Sequence, residues 1–254
     1  MAGHAEDLCK LENWIVKRAS KTEIGQYEKD KPPSTKPQFH GAYYSYDKVE
    51  EALGNIGEYV SEEQKKKIRL MAEPMSVGGQ GFIILKKVTA GMESAEMRDL
   101  KMGKYTADAC DQERHGVTGL RKYIKMSRHW LMDKQSQSHK RGFRDEDQWK
   151  VTWTGDNLVN LKEMLFKANT KALLNIGEDL KKLLTWLDQT DVVYVGMSVL
   201  VVVAKNEGKA VPIDFEHPIS KSEKSFDKHK KGIIEGLKNI QALVTRYLVT
   251  KNLT

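Results

Sequence analysis

The sequence predicts an α+β fold. Val192 to Val203 is a nearly continuous apolar, β-branched run, which marks a buried strand. Asn206-Glu207-Gly208-Lys209 turns the chain back into Ala210 to Phe215, a hairpin with a four- or five-residue loop. Around that hairpin the apolar residues take helical spacing instead. Leu158, Leu161, Leu165 and Ala168 mark one helix, Leu180, Leu183, Leu184 and Leu187 a second, and Ile233, Leu237, Ile240, Val244 and Leu248 a closing helix over 228–249.

The earlier chain follows the same logic. Trp14-Ile15-Val16-Lys17 has the aromatic and β-branched weight of a strand, with Lys17 at its end. Glu23 to Tyr27 is helical. Lys31-Pro32-Pro33-Ser34-Thr35-Lys36-Pro37 is a loop, because its prolines can continue neither structure. Gln38 to Tyr46 reads as a strand or an ordered connection, and 47–70 as helical with Ser61 as an N-cap. Gly78-Gly79-Gln80-Gly81 is a tight turn into the strand Phe82-Ile83-Ile84-Leu85; it lacks the Lys-Ser/Thr and helix start of a phosphate-cradling loop. Gln135 to Lys140 is a polar break. Arg141-Gly142-Phe143-Arg144 starts an extended piece, and Trp149 to Trp153 alternates as a strand does.

Composition bounds the function. With 254 residues, 39% hydrophobic and 30% charged, the chain can bury a sizeable core. No apolar run reaches the ~18 residues of a membrane helix, and no signal pattern opens the sequence. The two cysteines, Cys9 and Cys110, have no metal-ligand spacing and read as packing residues in a reducing compartment. The expected location is therefore cytoplasmic. Lys65-Lys66-Lys67 could serve as a nuclear address, but a solvated helix face accounts for it.

The net charge of +7 is concentrated between Arg114 and Lys150, where ten Lys/Arg stand against four Asp/Glu. Such a field points to an anionic partner. No nucleic-acid-binding module is present, and the basic face is one short helix, so nucleic acid is not the expected partner. Within a helix over 111–134, Val117, Leu120, Ile124 and Leu131 form an apolar stripe. Arg114, Arg121, Lys125 and Arg128 line the neighbouring face. Four cations so placed could hold several phosphates in one small site, with forked contacts from the arginines.

Two carboxylates stand out. In Asp99-Leu100-Lys101-Met102-Gly103, an extended backbone projects Asp99 and Lys101 to the same side. One face then carries an acid/base group beside a phosphate-seeking cation, the pair that phosphoryl transfer needs. Asp214 ends the apolar strand 210–215, where a carboxylate is costly without a partner; Mg²⁺ or a structural salt bridge would each serve.

These pieces resemble the inositol polyphosphate kinases, specifically the multikinase and hexakisphosphate-kinase branches. The family signature Pro-x-x-x-Asp-x-Lys-x-Gly is similar to Ala95 through Gly103, with Ala95 in place of proline. The family's Ser-Leu-Leu resembles Ser198-Val199-Leu200, and its Ile-Asp-Phe resembles Ile213-Asp214-Phe215, followed here by Glu216-His217. Arg141-Gly142-Phe143-Arg144 and Gly232 to Ile240 are also similar. The likeness covers about two thirds of the chain, from Phe82 onward, and is looser over Val16-Lys17, Glu23 and Tyr27.

The resemblance implies a two-lobed fold, distantly like protein kinases, with ATP in a cleft between the lobes. Residues 1–90 would form the N-terminal lobe, with a helical insertion at about 47–80, and 91–254 the C-terminal lobe. It implies an ATP- and Mg²⁺-dependent transfer to a hydroxyl of an inositol phosphate. Asp99 would be base or orienter and Lys101 would hold the transferred phosphate. Asp214 would bind Mg²⁺, Ser198 would place nucleotide phosphates, and Lys17 and the Val88 backbone would meet ATP. Lys104, Arg114, Arg121, Lys125, Arg128 and His217 fall on the substrate side. The hinge, acidic in the family, reads Lys86-Lys87-Val88 here, and Glu216 replaces a small residue. Two other readings remain: a binding module for inositol phosphates or phosphoinositide headgroups, and a kinase acting on a protein or another metabolite.

Overall fold

The computed structural model describes residues 7–28, 36–72, 80–108, 118–146 and 158–252. Contacts divide the chain into two units, the smaller within 2–92 and the larger mainly 93–254.

The smaller unit is built on an antiparallel sheet in the order β1-β2-β4-β3. Its strands are β1 (Leu8–Lys10), β2 (Trp14–Ser20), β3 (Phe39–Tyr43) and β4 (Gln80–Lys86). Strand β2 does not stop at Lys17. Its pairing with β4 runs on to Ser20, opposite Gln80. Ser20 then starts helix α1 (Lys21–Glu28), its Oγ accepting from the Glu23 amide at 3.1 Å. The strand thus ends where a cap is available, not at the first charge.

Two helices follow, α2 (Tyr46–Asn55) and α3 (Glu62–Ala72). Gly57, at φ 70°, separates them. Ser61 caps α3 in a reciprocal box: its Oγ accepts from the Gln64 amide at 3.2 Å, and the Gln64 side chain accepts from the Ser61 amide at 2.9 Å. Val49, Leu53, Ile68 and Met71 pack against Val16, Phe82 and Ile84, and Cys9 lies buried among them as a packing residue. Cys110, the turn at Gly78-Gly79 and the segment Trp149 to Trp153 lie outside the described residues.

The larger unit holds a second antiparallel sheet in the order β6-β5-β8-β9. These are β5 (Glu96–Met102), β6 (Phe143–Asp145), β8 (Ser198–Val203) and β9 (Gly208–Ile213). The apolar run from Val192 is not one strand. Gly196, at φ 71°, breaks it. Its first part, β7 (Val192–Tyr194), pairs with β10 (Pro218–Ser220) in a separate ribbon, and only its second part is β8. Continuous hydrophobicity reports burial, and both pieces are buried; it carries no information about a change of direction. The hairpin from β8 to β9 forms as expected, closed by the Ala204 amide donating to the Glu207 carbonyl at 2.8 Å.

The helices of this unit are α4 (Gly119–Gln135), α5 (Ser138–Arg141), α6 (Val159–Lys167), α7 (Thr170–Gln189) and α8 (Phe226–Asn252). Asn169 caps α7 by accepting from the Ala172 amide at 2.8 Å. The expected stripes of α6, α7 and α8 are mostly core: Leu158, Leu161, Leu165, Ala168, Leu180, Leu183, Leu187, Ile233, Leu237, Ile240 and Val244 are buried, while Leu184 and Leu248 are half-buried. The stripe expected on the basic helix is not. Leu120, Ile124 and Leu131 of α4 are exposed, and Val117 and residues 111–116 lie outside the described residues.

Helix α8 meets the sheet through glycines. Gly142, at φ 72°, sits directly against the backbone of Gly236, and a Cβ on Gly232 would lie 3.0 Å from the Lys104 amide. Gly103, at φ 103°, donates its amide to the Gly142 carbonyl at 2.7 Å. The last residue of the signature is thereby tied to the turn that α8 covers.

Gly236→Ala forces a methyl into the Gly142 carbonyl, and should destabilise the fold by about 2–3 kcal/mol. Gly177→Ala on α7, where a Cβ meets nothing within 4 Å, is the control. It should melt at or slightly above the parent, since alanine is the better helix former; thermal unfolding of both variants checks the contrast.

Candidate active site

Strand register brings the singled-out residues of the larger unit together. Lys101 on β5 lies opposite Ser198 on β8, and Ser198 lies opposite Ile213 on β9. Residues opposite one another share a sheet face, and so do residues two apart. Asp99, Lys101, Ser198 and Ile213 therefore present one face, while Leu100 and Met102, both fully buried, point to the other.

Asp214 follows β9 at once and has φ 63°, a left-handed backbone that aspartate tolerates better than most residues. Its neighbour Phe215 is fully buried and packs edge-on against Tyr194, centroids 5.0 Å apart. The buried ring holds the turn. Lys101 Nζ lies 3.6 Å from Asp214 Oδ2, with the ammonium more deeply buried than the carboxylate.

Asp99 is only 3% exposed. Burial pushes its carboxyl above the ordinary range, and the charge of Asp214 pushes the same way; Lys101 and Ser198 act against them. Asp99, Lys101, Ser198 and Asp214 are thus one electrostatic group. Among the described residues, no three His, Cys, Asp or Glu side chains group as a metal site. One or two carboxylates still suit a hard cation whose remaining ligands are phosphate oxygens and water.

A second buried group occupies the adjoining part of the same face. Arg144 on β6 lies opposite Lys101 and is 1% exposed. Its guanidinium contacts Asp133 Oδ1 at 2.5 Å, Glu146 Oε1 at 2.8 Å and Thr106 Oγ1 at 2.9 Å. Asp133 also accepts from the Thr106 amide at 2.9 Å and from Ser138 Oγ at 3.2 Å. His129 Nδ1 lies 3.3 Å from Thr106 Oγ1. Burial, and then the charges of Arg144, Lys125, Lys101 and Arg128, drive the His129 pKa down to about 4, so its ring is neutral at pH 7.

This group was not singled out from the sequence. The readable signal was His129 and Asp133 at i and i+4, on the side of α4 away from its apolar residues. Arg144 reads from the sequence only as part of Arg141-Gly142-Phe143-Arg144.

The remaining candidates are more dispersed. Arg121, Lys125 and Arg128 stand on the exposed surface of α4, and Arg114 lies outside the described residues. Lys104 is paired with Glu235 of α8 at 2.8 Å. His217 is held through its carbonyl, which accepts from the Val195 amide at 2.9 Å. In the smaller unit, Lys17 Nζ lies 2.7 Å from Glu23 Oε1, and Glu23 is 1% exposed. Val88 lies in the turn after β4; the preceding Lys87 amide donates to the Asn13 carbonyl at 2.7 Å.

The fold is that of an inositol phosphate kinase. The structure matches the inositol phosphate multikinase Ipk2 of S. cerevisiae, solved in complex with ADP and Mn²⁺, with a TM-score of 0.57 at 14% identity. The match covers 93% of this chain and 99% of that one. A second inositol phosphate multikinase structure matches with a TM-score of 0.49 at 16% identity, over 65% of this chain and 84% of the other. No protein-family model matches the sequence, and no curated protein matches it either.

The buried His129 has a consequence for acid stability. Its folded pKa is about 4 against 6.5 unperturbed, so the unfolded chain binds the proton first as pH falls. Its contribution is complete above pH 6.5 and is lost as pH drops towards 4. His129→Gln should flatten the fall in melting temperature across that window, as scanning calorimetry at stepped pH would show.

Proposed function

We propose that the protein is a phosphotransferase that moves the γ-phosphoryl group of ATP to a hydroxyl of an inositol phosphate, with Mg²⁺ as the divalent ion. The carrying observation is the grouping of Asp99, Lys101 and Asp214 on the face set by β5, β8 and β9. The Ipk2 relative was solved with ADP and Mn²⁺, which supports use of a nucleotide and a divalent metal on this fold.

Each residue then has a role that follows from its chemistry. Asp99, a buried carboxylate held above its usual pKa, accepts or orients the acceptor hydroxyl's proton. Lys101 meets the oxygens of the transferred group, where negative charge gathers as the acceptor oxygen bonds to phosphorus and the bridging oxygen leaves. Asp214 is the carboxylate that would hold the metal, and Ser198 offers a hydroxyl to the nucleotide phosphates. Bound there, the metal would supply charge neutralisation to the phosphates during in-line displacement. Lys17, oriented by Glu23, serves the nucleotide in the smaller unit, together with the Val88 backbone. Lys104, Arg121, Lys125, Arg128 and His217 supply the substrate side, with Arg114 added from the sequence. We place the reaction in the cytoplasm.

A second reading, a module that binds inositol phosphates without turnover, is favoured by the hinge. Lys86 and Lys87 stand where acidic contacts to a nucleotide were expected, and the Lys87 ammonium is engaged by the Glu12 carbonyl at 2.9 Å. The retained Asp99, Lys101 and Asp214 weigh against it.

Incubation with ATP, Mg²⁺ and a panel of inositol phosphates should yield a product one phosphate heavier by mass spectrometry. Asp99→Asn should lower turnover by about 10²–10⁴-fold. The same variant removes a buried charge whose folded pKa is raised, a charge that costs stability as pH rises through that value. Asp99→Asn should therefore melt no lower than the parent at pH 7, and the difference should shrink in acid. Tight inositol phosphate binding with no turnover in the parent protein would favour the module instead.

A further inference from the structure

Helix α4 is amphipathic in the reverse sense. A surface helix normally turns its apolar stripe inward. Here the side facing the body carries His129 and the 3%-exposed Asp133, tied to Thr106 and Arg144. The outward side carries Leu120 (75% exposed), Tyr123 (70%), Ile124 (60%), Trp130 (56%) and Leu131 (48%). At 100° per residue these five fall within an arc of roughly 120°.

One edge of that arc is cationic, with Arg128, Arg121 and Lys125 following one another along it; Lys134 falls within the arc and lies over the Trp130 ring at 5.0 Å to its centroid. The one acidic residue of α4, Asp133, faces the body and is matched by Arg144. The exposed surface of α4 therefore carries positive charge with no carboxylate of its own.

We infer that α4 is an interfacial helix that lies in the plane of an anionic phospholipid bilayer. The chemistry suits that surface on both counts. Leucine and isoleucine enter the acyl boundary, tryptophan and tyrosine settle at headgroup depth, and flanking arginine and lysine reach lipid phosphates with their stems along the apolar boundary. Charge complementarity favours a bilayer over a second copy of the chain, since two such helices would bring their cationic edges together. No helix among the described residues is long and apolar enough to cross a membrane, so the association is peripheral. This inference does not depend on the proposed kinase activity, and on the bilayer Arg121, Lys125 and Arg128 meet lipid phosphates in place of the inositol phosphate assigned to them above.

The test is co-sedimentation of the full chain with sucrose-loaded vesicles of phosphatidylcholine alone or with phosphatidylserine added. The protein should pellet with the anionic vesicles, stay in solution with neutral ones, and dissociate as salt is raised. The triple variant L120S/I124S/L131S touches no residue assigned to catalysis or substrate, and should weaken partitioning by at least about tenfold. Ile124→Asp, a single change at an exposed position, is the second variant and should act in the same direction. Three results would overturn the inference: no pelleting of the parent protein at low salt, undiminished pelleting of both variants, or a dimer of the parent that either variant turns into a monomer.

Discussion

A carboxylate kept out of water beside a second carboxylate is the constraint on which the larger unit turns. Burial and the charge of Asp214 both disfavour ionisation of Asp99, and Lys101 is the first of the groups that oppose them. The arrangement requires that the ammonium be held in place, since a wandering lysine would leave Asp99 facing Asp214 without its nearest opposing charge. Register does the holding: Lys101, Ser198 and Ile213 are aligned across three strands by backbone hydrogen bonds. Side-chain packing is not asked to position the charges. It is asked to keep the sheet together, through the apolar face of β5 and the glycine contacts with α8.

Arg144, opposite Lys101 on β6, is the second buried cation of this face. Asp133 from α4 and Glu146 from beyond β6 engage it, while Thr106 and Ser138 complete the bonding of Asp133. A buried ion cluster of this kind adds little net stability for the cost of desolvating it. Its effect is on partner choice: two cations on one face keep separate sets of anions. The same cluster seats α4, so the helix that carries the basic edge is anchored by its charged side, and its apolar residues are left outward.

Much of the fold was legible because periodicity and caps are local. The hairpin of β8 and β9, the stripes of α6 to α8, the cap at Ser61 and the pairing of Asp99 with Lys101 on one face all follow from residues close in the chain. What escaped was set by distant partners. The break at Gly196 is invisible in a run of valines, because both halves are buried, each in a different sheet. Strand β2 outlasts Lys17 because β4 pairs with it to the end. The inverted seating of α4 depends on Arg144 meeting Asp133, and no window on the helix alone contains that fact. A stripe of leucine and isoleucine says that one side is apolar, not which way that side faces.

The left-handed backbone at Asp214 leaves a mark on which residues can stand there. At φ 63° a β-carbon is tolerated mainly when the side chain is short and polar, so aspartate and asparagine fit where leucine, valine or lysine would strain the turn. Anchored by the sunken Phe215 ring on one side and the end of β9 on the other, that turn cannot relax easily. Glycine would relieve the backbone and erase the charge; asparagine keeps the shape and changes the charge alone. Geometry and electrostatics are thus separable at this one position, and a lineage that abandoned the chemistry could still preserve the bend.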